Sequence, residues 1–131
     1  MRYLVLVLSV ASMSTAAIAG DAHGIWRTQE GDNGGYLEVT IGPCDADPLK
    51  TCGTISRALD EQGPAPEYEH LGRLMIDGME TDDGSSYSGG TIWDPQADKT
   101  YKSRMKADGS ELDVEGCIAF ICRGQTWTRV E

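Results

Sequence analysis

The chain has 131 residues, with 21 Asp and Glu against 11 Lys and Arg, and its formal net charge is -10. A chain of this length forms one domain. The excess of negative charge argues against nucleic acid or an anionic membrane surface as a partner, because phosphate groups are bound mainly by Lys and Arg.

The first residues have the pattern of a targeting segment. Arg2 is the only charge before residue 20, an apolar run covers 3–8, and Ala17-Ile18-Ala19 ends the segment. A basic start, a short apolar core and a small-residue end are typical of a secretory signal peptide. The apolar run falls short of the roughly 20 residues that a membrane span needs. We therefore predict cleavage after Ala19, a single mature domain over 20–131, no membrane span, and a periplasmic or secreted location.

The mature chain holds all four cysteines, Cys44, Cys52, Cys117 and Cys122. Four cysteines allow three pairings, and a secreted location favours disulfides over free thiols. We predict the two local disulfides Cys44–Cys52 and Cys117–Cys122. The alternative is a zinc site, which the spacings do not favour. We therefore expect no metal and no cofactor.

The mature chain shows strand patterns and no helical periodicity. Turn residues interrupt it about every 8–12 residues, which favours an all-β sandwich or barrel. Alternation places Tyr87, Gly89, Thr91 and Trp93 on one face of the fifth predicted strand. The eight predicted strands are 24–30, 35–42, 52–57, 71–78, 87–93, 99–106, 111–117 and 122–130.

The dipeptide Asp108-Gly109 between two alternating runs predicts a two-residue hairpin. With Ala107 opposite Ser110, basic residues of one strand face acidic residues of the next on the outer face. The pairs that this register predicts are Lys106 with Glu111, Arg104 with Asp113, and Lys102 with Glu115.

The following hairpin is predicted from the disulfide. If Cys117 faces Cys122, then Leu112 faces Trp127 and Val114 faces Gln125. Trp127, Gln125 and Arg123 should then point inward. Inward polar groups need partners, so Gln125 and Arg123 form either a structural network or a polar contact for a ligand.

Residues 58–70 break the strand pattern, because this segment holds two Pro, one Gly and four acidic residues. We predict an exposed loop. It is either a solvated connection or a cover over one mouth of the barrel.

Several short motifs in order along the mature chain resemble one family. They are Gly24-Ile25-Trp26-Arg27-Thr28, Ile41-Gly42-Pro43-Cys44, Cys52-Gly53-Thr54-Ile55, Gly89-Gly90-Thr91-Ile92-Trp93-Asp94-Pro95, Lys99-Thr100-Tyr101, and Gln125-Thr126-Trp127-Thr128-Arg129-Val130. Together they resemble the bacterial secreted family called domain of unknown function 2147. The resemblance implies a small antiparallel, up-and-down, lipocalin-like barrel of about eight strands. It also implies that Trp26 packs at the closed end beside Arg123 or Arg129.

An enzyme needs a convergent set of reactive groups, and the chain contains none of the common hydrolase, metalloprotease or phosphate-loop motifs. We expect a monomeric, non-enzymatic binder of a small, partly apolar ligand. The alternative is a protein-interaction or envelope-maintenance module with a filled barrel, for which the net charge favours a basic protein partner. Predicted ligand residues are Trp93, Tyr101, Ser103 and Gln125, and predicted structural residues are Trp26, Arg123 and Trp127.

Overall fold

The computed structural model describes residues 21–130, so the predicted signal peptide lies outside the described residues. These residues form nine strands joined by turns and loops. The strands are β1 (Gly24–Arg27), β2 (Tyr36–Pro43), β3 (Thr51–Asp60), β4 (Gly63–Pro64), β5 (Leu74–Met79), β6 (Ser86–Asp94), β7 (Lys99–Asp108), β8 (Glu111–Ile118) and β9 (Ile121–Arg129).

The strands form one closed antiparallel barrel. Neighbours in the sheet follow the order β2-β1-β9-β8-β7-β6-β5-β3, and pairing of β2 with β3 closes the circle. The two-residue β4 adds to the far part of β3 and lies outside the eight-strand ring. The predicted all-β, up-and-down barrel of about eight strands is confirmed. In the described part of the chain, no helix is long and apolar enough to cross a membrane.

Both predicted disulfides are present, Cys44–Cys52 and Cys117–Cys122. The predicted register of the last hairpin is also confirmed, since Cys117 faces Cys122 and Leu112 faces Trp127. A cross-strand cysteine pair fixes a register directly, because only facing positions can be bridged.

The register predicted for the preceding hairpin is wrong by two residues. Asp108 faces Glu111, Lys106 faces Asp113 and Arg104 faces Glu115. Gly109 and Ser110 are the two turn residues, and Gly109 has a φ of 58°. The shift is an even number, so the predicted faces are kept: Lys106 and Arg104 are exposed outside the barrel. The expected pairs Lys106–Glu111, Arg104–Asp113 and Lys102–Glu115 are replaced, and Lys102 faces Cys117 instead.

Strand β1 is shorter than predicted. It ends at Arg27, and the chain then turns through a glycine-rich loop in which the N–H of Gly31 donates to the carbonyl of Gly35. The Thr28 hydroxyl accepts the N–H of Leu37 at 2.9 Å. The Thr28 N–H donates to the Leu37 carbonyl at 2.9 Å, so β2 remains the neighbour here and only the acceptor of the Leu37 N–H is a side chain. On its other side, β1 pairs with β9 at two positions only, Trp26 with Arg129 and Arg27 with Thr128.

Candidate functional site at the open end of the barrel

The end of the barrel that contains the start of β1 is closed by an aromatic side chain. Trp26 is fully buried, and its indole Nε1 donates to the carbonyl of Ala22 at 2.8 Å. The guanidinium carbon of Arg129 lies 4.2 Å from the centre of the Trp26 ring. A cation held against an indole face is attracted by the ring quadrupole, so the contact with Arg129 stabilises Trp26 in its position at the closed end.

Arg129 also fastens the beginning of the described chain to this end. Its guanidinium donates to the carbonyls of Asp21, His23 and Gly109, at 2.6, 2.9 and 3.0 Å. Of the two arginines expected beside Trp26, the structure places Arg129 there. The Tyr87 hydroxyl completes the closure by donating to the carbonyl of Gly84 at 3.0 Å.

Burial raises the pKa of the Tyr87 hydroxyl, with a lesser contribution from the nearby carboxylate of Asp21. The neutral hydroxyl is therefore the form that the folded closed end holds.

The interior of the barrel is filled by side chains. Seven large side chains have less than 2% of their surface exposed: Trp26, Trp127, Ile55, Ile76, Met79, Leu112 and Val39. Every buried side-chain nitrogen or oxygen in residues 21–130 has a hydrogen-bond partner. Eight strands give a barrel just wide enough for side chains to fill, and this sequence uses that space for packing.

Ser103 and Tyr101, two of the four predicted ligand residues, lie on the inner face of β7. Ser103 is buried, and its hydroxyl donates to the carbonyl of Glu115 at 2.8 Å. Tyr101 is half-buried opposite Ile92, toward the end of the barrel opposite Trp26, which also holds the turn between β8 and β9 and which we call the open end. Ser103 therefore has its hydrogen bond within the wall, whereas Tyr101 keeps part of its ring accessible.

The expected inward position of Trp93 is wrong. Tyr87 pairs with Met105 and Gly90 with Ser103, so three steps along β6 match two along β7. This β-bulge reverses the alternation, and Trp93 pairs with Thr100 on the outer face. The bulge needs Gly90, because a Cβ there would lie 2.3 Å from the Asp77 carbonyl oxygen.

Trp93 is nevertheless buried, because the end of the β4–β5 loop covers it. The Arg73 guanidinium lies 3.4 Å from the centre of the indole, and the His70 ring meets the indole edge-on at 4.9 Å. The indole Nε1 of Trp93 donates to the carboxylate of Asp98 at 2.9 Å. Part of the segment predicted as a loop over 58–70 is therefore a packed cover on the outer face of β6, while its first residues extend β3 to Asp60.

The other predicted polar residues, Gln125 and Arg123, occupy inward register positions but are exposed. The expectation that they are buried is wrong. β1 accompanies β9 only at Thr128 and Arg129, so no neighbouring strand covers the part of β9 before Thr128. Gln125 accepts the indole N–H of Trp127 at 3.1 Å. Arg123 takes no part in the packing around Trp26.

The turn between β8 and β9 presents apolar side chains to solvent. Ile118 and Ile121 are 65% and 69% exposed, and Phe120 is fully exposed. The turn contains Ala119 at a φ of 51°, and the Cys117–Cys122 disulfide closes it at its base. We call residues 118–121 the hairpin tip. Clustered exposed apolar residues mark interaction sites more often than isolated ones do.

Sequence reasoning missed the hairpin tip. The signal was available, because four residues separate Cys117 from Cys122 and three of them, Ile118, Phe120 and Ile121, are large and apolar. A disulfide-closed turn of that length cannot bury its own side chains.

A family model described as an uncharacterised protein conserved in bacteria, DUF2147, matches residues 24–129. The chain belongs to this family. The resemblance of the short motifs to domain of unknown function 2147 is thereby confirmed. No curated protein matches the chain.

A solved structure of a Helicobacter pylori protein, described as belonging to the lipocalin family, is similar to this DUF2147 chain. The TM-score is 0.63 at 18% sequence identity, over 83% of this chain and 82% of the other. At this identity the similarity shows the fold, which is lipocalin-like, and the two closed disulfides are consistent with an oxidising compartment.

Proposed function

We propose that the protein is a non-enzymatic, periplasmic or secreted module that binds another protein through its hairpin tip. The observation that carries this proposal is the exposure of Ile118, Phe120 and Ile121 on a turn that a disulfide closes. Aromatic and aliphatic anchors dominate the binding energy of protein interfaces. A cross-linked turn presents them with little conformational entropy left to lose on binding.

The filled interior supports this proposal over the binding of a small ligand inside the barrel. Ligand sites are usually concave and largely preformed, whereas the centre of this barrel is occupied by Trp26, Trp127 and their neighbours. A small apolar ligand is the second candidate, favoured by one observation: Tyr101 and Ile92 face each other on the inner side near the open end and stay partly exposed.

Photo-crosslinking in the native envelope tests the proposal. A photoreactive phenylalanine analogue replaces Phe120, and a matched variant carries it at Leu49, which is 93% exposed on the turn next to the other disulfide. We expect one discrete protein adduct from position 120 and none from position 49. Equal labelling of many proteins from both positions would contradict the proposal.

Native mass spectrometry of the protein purified from its own envelope separates the two candidates. We expect the mass of the mature chain alone. A small molecule bound at one copy per chain, and lost from a Tyr101→Ala variant, would favour the ligand-binding function instead.

A further inference from the structure

The two disulfides differ in how well solvent reaches them. Cys44 and Cys52 are buried, whereas Cys117 and Cys122 are half-buried at the base of the hairpin tip. Thiol–disulfide exchange begins when a thiolate attacks one of the two sulfurs, so its rate depends on access. A thiol in solution therefore reaches the Cys117–Cys122 disulfide more readily than the Cys44–Cys52 disulfide.

The charged groups beside the exposed disulfide favour its opening. A guanidinium nitrogen of Arg104 lies 2.9 Å from the Cys122 sulfur and 3.9 Å from the Cys117 sulfur. Lys102, a second cation, faces Cys117 across β7 and β8. The Glu115 carboxylate also lies within 4.8 Å of both sulfurs, but its charge is offset by Arg104 at 3.5 Å. A neighbouring cation stabilises a thiolate over a thiol, so Arg104 favours Cys122 as the sulfur that leaves.

The buried disulfide has a carboxylate as its charged neighbour instead. The Asp77 carboxylate lies 3.4 Å from the Cys52 sulfur and within 4.8 Å of the Cys44 sulfur. The ammonium group of Lys50, which begins the same turn of the chain, pairs with Glu80 at 3.7 Å. A negative charge beside a sulfur disfavours the thiolate, so burial and charge both oppose opening of Cys44–Cys52.

The turn that the Cys117–Cys122 disulfide closes has an unfavourable backbone conformation. Ile118 faces Ile121, so Ala119 and Phe120 are the two turn residues. Ala119 has a φ of 51°, in the left-handed region that residues with a Cβ rarely adopt. Two-residue hairpin turns favour Asn-Gly or Asp-Gly at these positions. The turn sequence therefore contributes little to its own shape, and opening the disulfide allows the turn to leave this conformation.

We propose that Cys117–Cys122 is a redox-reactive disulfide, which a dithiol reductant opens ahead of Cys44–Cys52 with Cys122 as the leaving sulfur beside Arg104. Exposed and strained disulfides are the ones that exchange most readily. Opening changes the shape of the hairpin tip. Release of the partner protein on reduction is the one consequence that rests on the proposed function.

The exchange takes place in two steps. A thiolate of the reductant attacks the Cys117 sulfur, a bond forms between these two sulfurs, the Cys117–Cys122 bond breaks, and Cys122 leaves as a thiolate. The second thiolate of the reductant then attacks its own sulfur in the mixed disulfide, and Cys117 leaves. The two cysteines gain two electrons, and the reductant loses two and becomes a disulfide. The thiol protons of the reductant pass to solvent, from which the cysteine thiolates take up protons.

Timed alkylation of the disulfide-bonded mature protein tests the order of opening. The probe is dithiothreitol at neutral pH, and N-ethylmaleimide labels the freed thiols before peptide mapping. We expect Cys117–Cys122 to open about tenfold faster than Cys44–Cys52, or more, and the difference to disappear in the chain unfolded by guanidinium chloride. Equal rates in the folded protein, earlier opening of Cys44–Cys52, or a difference of the same size after unfolding would overturn the proposal.

Charge variants test the part that Arg104 takes. Arg104→Gln should slow the opening of Cys117–Cys122 by about threefold to tenfold, because the leaving thiolate loses its nearest cation. Arg104→Lys should restore most of the rate. Lys106→Gln, an exposed residue on the same face of β7, should leave the rate unchanged. Equal rates in the Gln variant and the unsubstituted protein would overturn the proposal.

A monothiol identifies the leaving sulfur, since it stops at the mixed disulfide. With β-mercaptoethanol followed by N-ethylmaleimide, we expect the monothiol on Cys117 and the maleimide on Cys122. The reverse labelling would overturn the assignment of Cys122 as the leaving sulfur.

The crosslink from position 120 tests the consequence for the hairpin tip. Dithiothreitol at a concentration that opens only Cys117–Cys122 should remove the discrete adduct. An adduct that survives this reduction would overturn the change in the tip. Absence of the adduct before and after reduction would overturn the proposed function, while the alkylation rates decide the reactivity of the disulfide independently.

Discussion

Each end of the barrel holds one disulfide, and the two disulfides have different surroundings. At the closed end, Cys44 and Cys52 are 6% and 7% exposed, and Trp26 is fully buried. At the open end, Cys117 and Cys122 are half-buried and hold a turn whose tip residue, Phe120, is fully exposed. One disulfide belongs to the packed part of the molecule, while the other supports a turn whose large apolar side chains are mostly exposed.

The difference separates folding from recognition. The closed end contains stacking of Arg129 on Trp26 and hydrogen bonds that fasten the chain around it. The open end contains the end of the short β1, the part of β9 that β1 does not accompany, and the hairpin tip. Binding surfaces are commonly placed on loops and edges that a rigid scaffold positions, and this division predicts that large stability effects occur at the closed end.

The largest expected effect comes from truncating an aromatic side chain at each end. Trp26→Ala should lower the free energy of unfolding by about 3–5 kcal/mol, because it removes a buried indole and leaves a cavity. Phe120→Ala should change it by less than about 0.5 kcal/mol, since an exposed side chain loses little packing. Urea titration of both variants measures the difference. Similar losses at both ends would mean that the hairpin tip is packed in solution.

The next effect concerns the two disulfides. Replacing either pair with Ser, Cys44→Ser with Cys52→Ser or Cys117→Ser with Cys122→Ser, should cost about 2–3 kcal/mol by the loop-entropy estimate. The two double variants should differ in function. Only the second should lose the crosslink from position 120, because only that turn becomes free to change shape. Denaturant titration and crosslinking on the same samples compare the two double variants. Loss of the crosslink in both would contradict the separation of folding at the closed end from recognition at the open end.

A smaller effect is expected at Trp93. Trp93→Ala should cost about 1–3 kcal/mol, less than Trp26→Ala, because the covering loop can relax toward the space that the indole leaves. The loss of the Arg73 and His70 contacts should expose residues 65–73 to limited proteolysis. Cleavage mapped by mass spectrometry checks this result. A loss as large as that of Trp26→Ala would show that Trp93 supports the barrel and not only its outer cover.

The sequence was informative wherever a covalent or strongly directional signal was present. The four cysteines gave both disulfides and one register, and the short motifs gave the family and the lipocalin-like fold. The structure differs from the prediction where an alternating strand was assumed to continue without a bulge or an early end. The pair Gly89-Gly90 inside a strand is itself a sign of a bulge, but strict alternation was carried through it, which placed Trp93 on the inner face. The early end of β1 leaves Gln125 and Arg123 uncovered, and the prediction missed it because residues 28–30 contain no Gly or Pro that would mark the end of the strand.

The β7–β8 register shows why charge complementarity alone was insufficient. Basic residues occur at every second position of β7, and acidic residues at every second position of β8, so a shift of two residues still places Arg104 and Lys106 opposite acidic residues. In the structure the Arg104 guanidinium lies 3.5 Å from the Glu115 carboxylate, and the two side chains are 62% and 43% exposed. Its guanidinium also contacts the Cys122 sulfur at 2.9 Å, which ties this pair to the base of the hairpin tip.

A double-mutant cycle distinguishes the two registers and carries the smallest expected effect. Arg104→Ala and Glu115→Ala should show a coupling energy of about 0.2–1 kcal/mol, the range of exposed ion pairs. Arg104→Ala with Asp113→Ala should show a coupling near zero, because Asp113 faces Lys106. Salt at about 1 M should reduce the first coupling, since the Debye length is then only about 3 Å. A coupling that appears with Asp113 and not with Glu115 would mean that Asp108 and Gly109 form the turn, and β9 would then meet a different set of side chains across β8.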